Sequence, residues 1–146
     1  MNTEDLQIAR RLLLEKKLTL CVVKKQNVLL ESKVRGVAAF LDAVEELECR
    51  FEGSSVADKI VGRAVALMCI YVKASAVYAA TLSEPAKALF EEYSTYVEYV
   101  DLVENIVRPD KSSICPFEQL VSDVSDPGEG YKKLKSACDS RVHLPR

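Results

Sequence analysis

The amino-acid sequence predicts an α/β domain with three layers, α/β/α, in which helices cover both faces of a mixed β-sheet. Segments with the composition of strands alternate with segments whose apolar residues recur at helical spacing. The run 76–82 is almost continuously apolar, which is typical of an interior parallel strand covered on both faces. The connections on either side of this run are long enough to hold the helices that parallel crossovers require.

The chain has 146 residues, a length that predicts one domain with one core. We expect a single domain over 1–146, with 116–146 as a C-terminal helical extension. A formal net charge of −2 supplies no positive field for a phosphate backbone, so we expect no nucleic-acid partner. The longest apolar run, 64–72, is about half the length of a bilayer crossing, and acidic residues near the amino terminus argue against a targeting peptide. We therefore expect no membrane partner and a cytoplasmic location.

The cysteines do not form a recognisable framework. There are five of them, widely spaced and without a Cys-x-x-Cys pair, and the chain has one histidine, His143. Neither a disulfide framework nor a zinc cage follows from this pattern, so we expect no metal and no cofactor. Cys21 and Cys69 lie inside apolar segments and are predicted to be small core residues.

The first third of the chain predicts a helix, a hairpin and a second helix. Apolar residues at helical spacing favour a helix over 3–16. The β-rich runs 18–23 and 28–32 flank a polar turn, in which Asn27 is able to adopt a positive φ. A helical apolar stripe with an acidic outer face then covers 37–47.

The middle of the chain predicts a buried helix followed by a strand. We expect the helix to begin at Ser55, because from residue 60 to residue 72 only Gly62 and Arg63 interrupt an apolar run. Gly62 would mark a close approach inside this helix. Arg63 would either pair with a carboxylate or lean out to solvent, and the sequence does not decide between the two. The apolar run 76–82 is the strand that follows.

The remaining elements are marked by caps and breakers. Ser83 caps a helix that has Glu and Pro in its first turn, and 97–103 forms another strand. A short helix over 116–124, a break at 126–130 and a helix over 131–138 complete the chain.

Two predicted helix starts could bind an anion. Gly53, Ser54 and Ser55 would offer free amides, two hydroxyls and the positive end of a helix dipole, with Lys59 adding a charge. The simpler alternative is that a serine is an N-cap and that Asp58 complements the dipole.

The second start, at Ser83 and Glu84, follows the next strand, and ligands in open α/β sheets bind where such starts converge. Here too a plain cap and a dipole-complementing carboxylate are the alternative.

Cys115 precedes a proline at the first position of a predicted helix, where the dipole would stabilise a thiolate. A Cys–His dyad would require His143 to fold back from the tail. Packing or ligand contact is the alternative role of Cys115.

Three segments, 55–64, 82–85 and 115–118, together with the element order, resemble an uncharacterised prokaryotic family with a cytidine-deaminase-like fold. The resemblance extends to about Val124. In true deaminases, one helix begins with His or Cys followed by a catalytic Glu, and a second begins with Pro-Cys-x-x-Cys, and together they bind zinc.

At the places where we align these two motifs, the chain reads Ala57-Asp58-Lys59 and Glu84–Ala88, without His or Cys. The resemblance thus implies a former metal pocket between the two helix starts that lacks its zinc ligands. Deaminase activity does not follow, because function is carried by the site and not by the fold.

Three hypotheses remain open. The first is a protein that binds a small molecule, a nucleoside, a nucleotide or another polar metabolite. The second is a metal-independent enzyme in which Cys115 is the nucleophile and Asp58 or Glu118 carries the proton. The third is a structural or interaction module, for example a homodimer joined through a sheet edge or a helix face. Under the first hypothesis the predicted cleft is lined by Ser54, Ser55, Asp58, Lys59, Ser83, Glu84, Cys115 and Glu118.

Overall fold

The computed structural model describes residues 3–108 and 113–142, with side chains as far as residue 139. The elements along the chain are α1 (Thr3–Glu15), β1 (Leu20–Lys24), β2 (Asn27–Ser32), α2 (Val37–Leu47), a short 3-10 helix (Glu48–Phe51), β3 (Ser55–Val61), α3 (Arg63–Tyr71), β4 (Ala76–Ser83), α4 (Glu84–Glu92), β5 (Tyr96–Val103), α5 (Pro116–Leu120) and α6 (Pro127–Val142).

The strands form one five-stranded mixed sheet in the order β2-β1-β3-β4-β5 across the described residues. β1 is antiparallel to both β2 and β3, whereas β3, β4 and β5 run parallel to one another. Helices α3 and α4 are the crossovers between the parallel strands. The predicted α/β class with a mixed sheet and flanking helices is therefore confirmed.

Alternate residues of each strand point to opposite faces of the sheet. The helices cover these two faces unequally. On one face, α1 packs against a small apolar cluster that includes Cys21 and Tyr78. On the other face, α2, α3, α4 and α6 build the larger core, into which Val22 and Val77 project. Three layers result, with α1 alone on its side among the described helices.

The turn of the β1–β2 hairpin is fixed by α1. Both oxygens of the buried Asp5 carboxylate accept backbone hydrogen bonds, from Lys25 N and from Gln26 N, each at 2.9 Å. Lys25 and Gln26 have φ values of 50° and 66°, so the left-handed positions lie one and two residues before Asn27. The hairpin is as predicted, but the role given to Asn27 was wrong: it begins β2, and its side-chain amide donates to the Lys25 carbonyl at 3.1 Å.

The segment predicted as the start of a long helix is a strand. β3 covers Ser55–Val61 and is paired on both sides, with Val56 opposite Val22 of β1 and Val77 of β4. Helix α3 begins only at Arg63. An apolar run is compatible with a buried strand as well as a buried helix, and here strand pairing on two sides decides.

The C-terminal segment is packed into the core and is not loosely attached. α5 ends at Leu120, which is shorter than predicted, and α6 begins at Pro127, earlier than predicted. Asp126 accepts a hydrogen bond from Glu129 N at 2.8 Å, so the Asp-Pro-Gly segment starts the helix instead of breaking one. Leu134 of α6 is fully buried.

Helix α6 lies against α3. Tyr131 stacks on Tyr71 of α3 with ring centroids 4.5 Å apart. At Gly130 a side chain would meet Leu67 of α3, so the glycine allows the two helices to approach closely. No helix in the described part of the chain is both long and apolar enough to cross a membrane.

Cys21 and Cys69 are fully buried, which confirms that they are core residues. Burial raises the pKa of the Cys21 thiol to about 11, with a further contribution from the charge of Glu31 and an opposing one from Lys16. Burial also raises the pKa of Cys69, and the nearby Asp58 carboxylate acts in the same direction. Neither thiol is activated for chemistry.

Candidate functional site

Two helix starts lie side by side at the carboxyl ends of β3 and β4. Val61 pairs with Leu82 in the parallel ladder, so Gly62 and Ser83, the residues that follow, lie at the same edge of the sheet. These two residues are the N-caps of α3 and α4. In open α/β sheets this edge is where ligands bind. The first start is at Gly62 and not, as predicted, at Gly53–Ser55.

A backbone amide at the start of α4 is capped by the Ser83 side chain at the N-cap position. The fully buried Ser83 Oγ accepts a hydrogen bond from Ala86 N at 3.2 Å, and Pro85 is in the first turn. Glu84 is exposed in the same turn, where its charge complements the helix dipole. Both residues therefore have the structural role that was the alternative to ligand binding.

The start of α3 binds an internal carboxylate, that of Glu118 in α5. Its two oxygens accept hydrogen bonds from Arg63 N at 2.7 Å and from Ala64 N at 2.8 Å. A Cβ at Gly62 would overlap this carboxylate, so glycine is what makes room for it. Burial raises the pKa of Glu118, opposed by the two hydrogen bonds and by the Arg63 charge.

Arg63 ties the segment around α5 to the domain. We call residues 115–125 the strap. The Arg63 guanidinium donates to the carbonyl of Val121 at 2.9 Å and to that of Val124. Tyr93 Oη at the end of α4 donates to the Ser125 carbonyl at 2.8 Å. Arg63 thus binds strap carbonyls, an arrangement that neither sequence alternative, a carboxylate partner or exposure to solvent, had anticipated.

Four predicted site residues lie on β3 or just before it, away from the start of α3. Ser54 and Ser55 are buried at the amino end of the strand, the edge opposite the helix starts. Lys59 is exposed, and its backbone N–H donates to the Thr19 carbonyl at 3.0 Å. The helix start predicted at Gly53–Ser55 was wrong: these residues lead into strand β3, which lacks the free amides of a helix start. The Ser54 hydroxyl has no hydrogen-bond partner within the described structure.

Asp58, the fourth of these residues, is a partly buried carboxylate in the middle of β3, between Leu20 of β1 and Ala79 of β4. Its Oδ1 accepts a hydrogen bond from Ile60 N at 3.2 Å. Burial raises its pKa to about 7, against the opposing backbone hydrogen bonds. It lies on the same face of the sheet as Val56, the side covered by α3, and its charge acts on Cys69 of that helix.

Cys115 lies at the N-cap position of α5 and is half-buried. α5 has five residues, so its dipole is too short to activate a thiolate strongly. Glu118, the acid nearest in sequence, is held by the amides of α3. His143, the proposed base, lies outside the described residues.

Sequence reasoning missed an open groove of about 430 Å³ between β2 and α2. Its walls are strand residues 28–32 and one face of α2, with Ala39, Asp42, Ala43 and Glu46. The helical spacing of these four residues is visible in the sequence, but we read the acids only as a solvated outer face. What the sequence lacked was the position of β2 at the edge of the sheet.

The described residues contain no group of three or more His, Cys, Asp or Glu side chains placed to hold a metal ion. Ala57-Asp58-Lys59, where we aligned the first deaminase motif, lies within strand β3 and does not begin a helix; the next helix begins at Arg63.

Comparisons with known proteins identify a family. Residues 8–137 match the model of the TM1506 family, a domain of unknown function (DUF1893). The crystal structure of a DUF1893 family protein, TM1506 from Thermotoga maritima, is similar with a TM-score of 0.86 and 29% sequence identity, over 94% of this chain and 92% of that chain. None of the curated proteins matches the chain. The chain belongs to the DUF1893 family.

Proposed function

We propose that this protein is a cytoplasmic binding protein for a small polar metabolite that carries a carboxylate or a phosphate. The ligand binds at the carboxyl ends of β3 and β4 after the strap has moved aside. One observation carries the proposal: the first amides of α3 already hold a carboxylate, and this carboxylate is supplied by α5, 54 and 55 residues further along the chain. All five cysteines are free thiols, as expected in a reducing compartment.

The scaffold is proposed to be of the cytidine-deaminase-like kind. This is supported by the antiparallel hairpin followed by three parallel strands, with helices α3 and α4 starting side by side at the strand ends. In deaminases these two starts carry zinc ligands. Here they read Gly62-Arg63-Ala64 and Ser83-Glu84-Pro85, so amide donors take the place of a metal.

The chemistry of the α3 start favours an anion. Two convergent N–H groups and the positive end of a nine-residue helix complement negative charge. When the strap leaves, the Arg63 guanidinium loses its carbonyl partners and becomes available to the same ligand. Arg forms bidentate hydrogen bonds with carboxylate and phosphate groups, so it would add both affinity and orientation.

The test is a titration of inorganic phosphate into ¹⁵N-labelled protein, followed through the amide resonances of Arg63 and Ala64. Glu118→Ala removes the internal competitor, so both amides should shift at phosphate concentrations at least about tenfold lower than in the wild type. Glu118→Gln keeps the side-chain volume but not the charge, so its amides should respond at a phosphate concentration between those for Glu118→Ala and the wild type. Glu84→Ala, which removes an exposed acid from the neighbouring start and leaves the Ser83 cap in place, is the control and should leave the response unchanged.

The proposal fails if Glu118→Ala keeps a dispersed spectrum and these amides do not respond to phosphate. It also fails if Glu84→Ala sensitises them as much as Glu118→Ala, because the effect would then be one of net charge. Native mass spectrometry of freshly purified Glu118→Ala protein complements the titration, since a retained metabolite would appear as added mass.

A further inference from the structure

The groove between β2 and α2 has the form of a binding site for an extended chain. β2 pairs only with β1 in the described sheet, so half of its backbone N–H and C=O groups point away from the sheet. α2 runs beside this free edge. The groove has a volume of about 430 Å³ and is open to solvent.

The wall formed by α2 carries charge that nothing in the described structure neutralises. Asp42 and Glu46 are exposed, lie one helical turn apart on the groove face, and form no ion pair with any described residue. Their neighbour Glu45 points elsewhere and pairs with Lys135 of α6. Glu31 of β2 is also paired, with Lys16 at 2.9 Å. The two free carboxylates of the groove therefore attract a cationic partner.

The spacing of these carboxylates matches that of alternate residues in an extended chain. Four residues of α-helix rise by about 6 Å. In an extended strand, alternate side chains on one face are about 6.6 Å apart. Two basic residues at positions i and i+2 of a strand would thus have about the same separation as Asp42 and Glu46.

The floor of the groove is apolar. The buried Ala39 and Ala43 occupy the same face of α2 as the two acids, and Leu30 of β2 packs against the main core. Because alternate residues of a strand point to the same face, the aliphatic stems of the two basic side chains would lie over this floor, and the residue between them would point away from it.

We propose that this groove binds an extended segment of a partner protein with the pattern basic-x-basic, which adds to β2 as a sixth strand. Main-chain hydrogen bonds to the free edge supply affinity, and the two acids of α2 supply specificity. The site is on the opposite edge of the sheet from β5 and does not depend on the function proposed above.

The probe is the peptide fluorescein-Gly-Thr-Lys-Val-Arg-Val-Thr-amide, and binding is measured by fluorescence anisotropy at physiological ionic strength. The double variant Asp42→Asn/Glu46→Gln should weaken binding at least tenfold. The matched control Glu92→Gln/Asp101→Asn removes the same charge from exposed acids of α4 and β5, and it should bind as the wild type does. Equal weakening in both variants would overturn the proposal, because it would show unspecific attraction.

Two N-methylated forms of the peptide test strand addition. One is methylated at both basic residues and the other at both valines. In a strand, N–H groups of alternate residues point to the same edge, so one form should lose binding at least tenfold and the other should keep it. Equal affinity of the two forms would overturn the proposal. A concentration-dependent dimer that the peptide does not dissociate would also overturn the proposal, because a second copy of the protein would then occupy the groove.

Discussion

The partly buried carboxylate of Asp58 predicts an unusual dependence of stability on pH. The ordinary pKa of this group is 3.8, and in the folded protein burial raises it to about 7. Between these values the folded state holds a proton that the unfolded state has released. The free energy of unfolding therefore falls as the pH rises, by up to about 1.4 kcal/mol per pH unit.

Over the interval between the two pKa values the loss amounts to at most about 4 kcal/mol. The contribution is fully present below pH 4 and is lost as the pH rises through 7. This is a large part of the about 5–15 kcal/mol by which most domains are stable. Asp58→Asn keeps an oxygen that can accept the hydrogen bond from Ile60 N but has no charge. Relative to the wild type, this variant should gain stability progressively between pH 4 and pH 8.

The assay is urea denaturation followed by circular dichroism at several pH values in this interval. The difference in the free energy of unfolding between Asp58→Asn and the wild type removes the contribution of all other titrating groups, including Glu118. Asp101→Asn, a change at an exposed position of β5, is the control and should give a curve parallel to that of the wild type. Parallel curves for Asp58→Asn and wild type would refute the reasoning, since the carboxylate would then be hydrated.

Substitutions at three positions test the packing of the C-terminal segment and the start of α3, each by chemical denaturation. Glu118→Ala should cost about 2 kcal/mol, because it removes a charged cap from two amides, and Glu118→Gln should cost about half as much. Gly62→Ala should lower the free energy of unfolding by a similar amount, because the added Cβ expels the carboxylate. The double variant Gly62→Ala/Glu118→Ala should therefore lose little more stability than either single variant. Fully additive losses would contradict the contact between Gly62 and Glu118. Leu134→Ala should cost about 2–5 kcal/mol, because its side chain is fully buried, and a cost below about 1 kcal/mol would show that α6 is dispensable for the fold.

Elements with local signals were predictable from the sequence. The Ser83 cap and the Pro85 that follows it lie within one turn of the helix they begin, and the structure has that cap. The β1–β2 hairpin has two β-rich apolar runs with a polar turn between them. For a physical reason, the boundary at Gly62 was not predicted. Helix α3 is buried on most sides, so its sequence shows no helical periodicity, and β3 has the polar residues Asp58 and Lys59 next to each other, so it shows no strand alternation. Ser55 and Asp58 also have the spacing of a helix cap and its first-turn acid, which favoured the wrong element.

The chemistry at the start of α3 could not be predicted, because its partners are 54 and 55 residues apart in the sequence. Nothing local to Glu118 indicates that its carboxylate caps a distant helix, and nothing local to Gly62 indicates that the missing side chain makes room for it. The two residues explain each other only in three dimensions. A glycine in this position stabilises the closed strap in this chain. In the open form that we propose, the same position leaves space for an anion, because without a Cβ there is nothing else to fill it. On this proposal one residue serves both the stability of the observed form and the binding site of the open one.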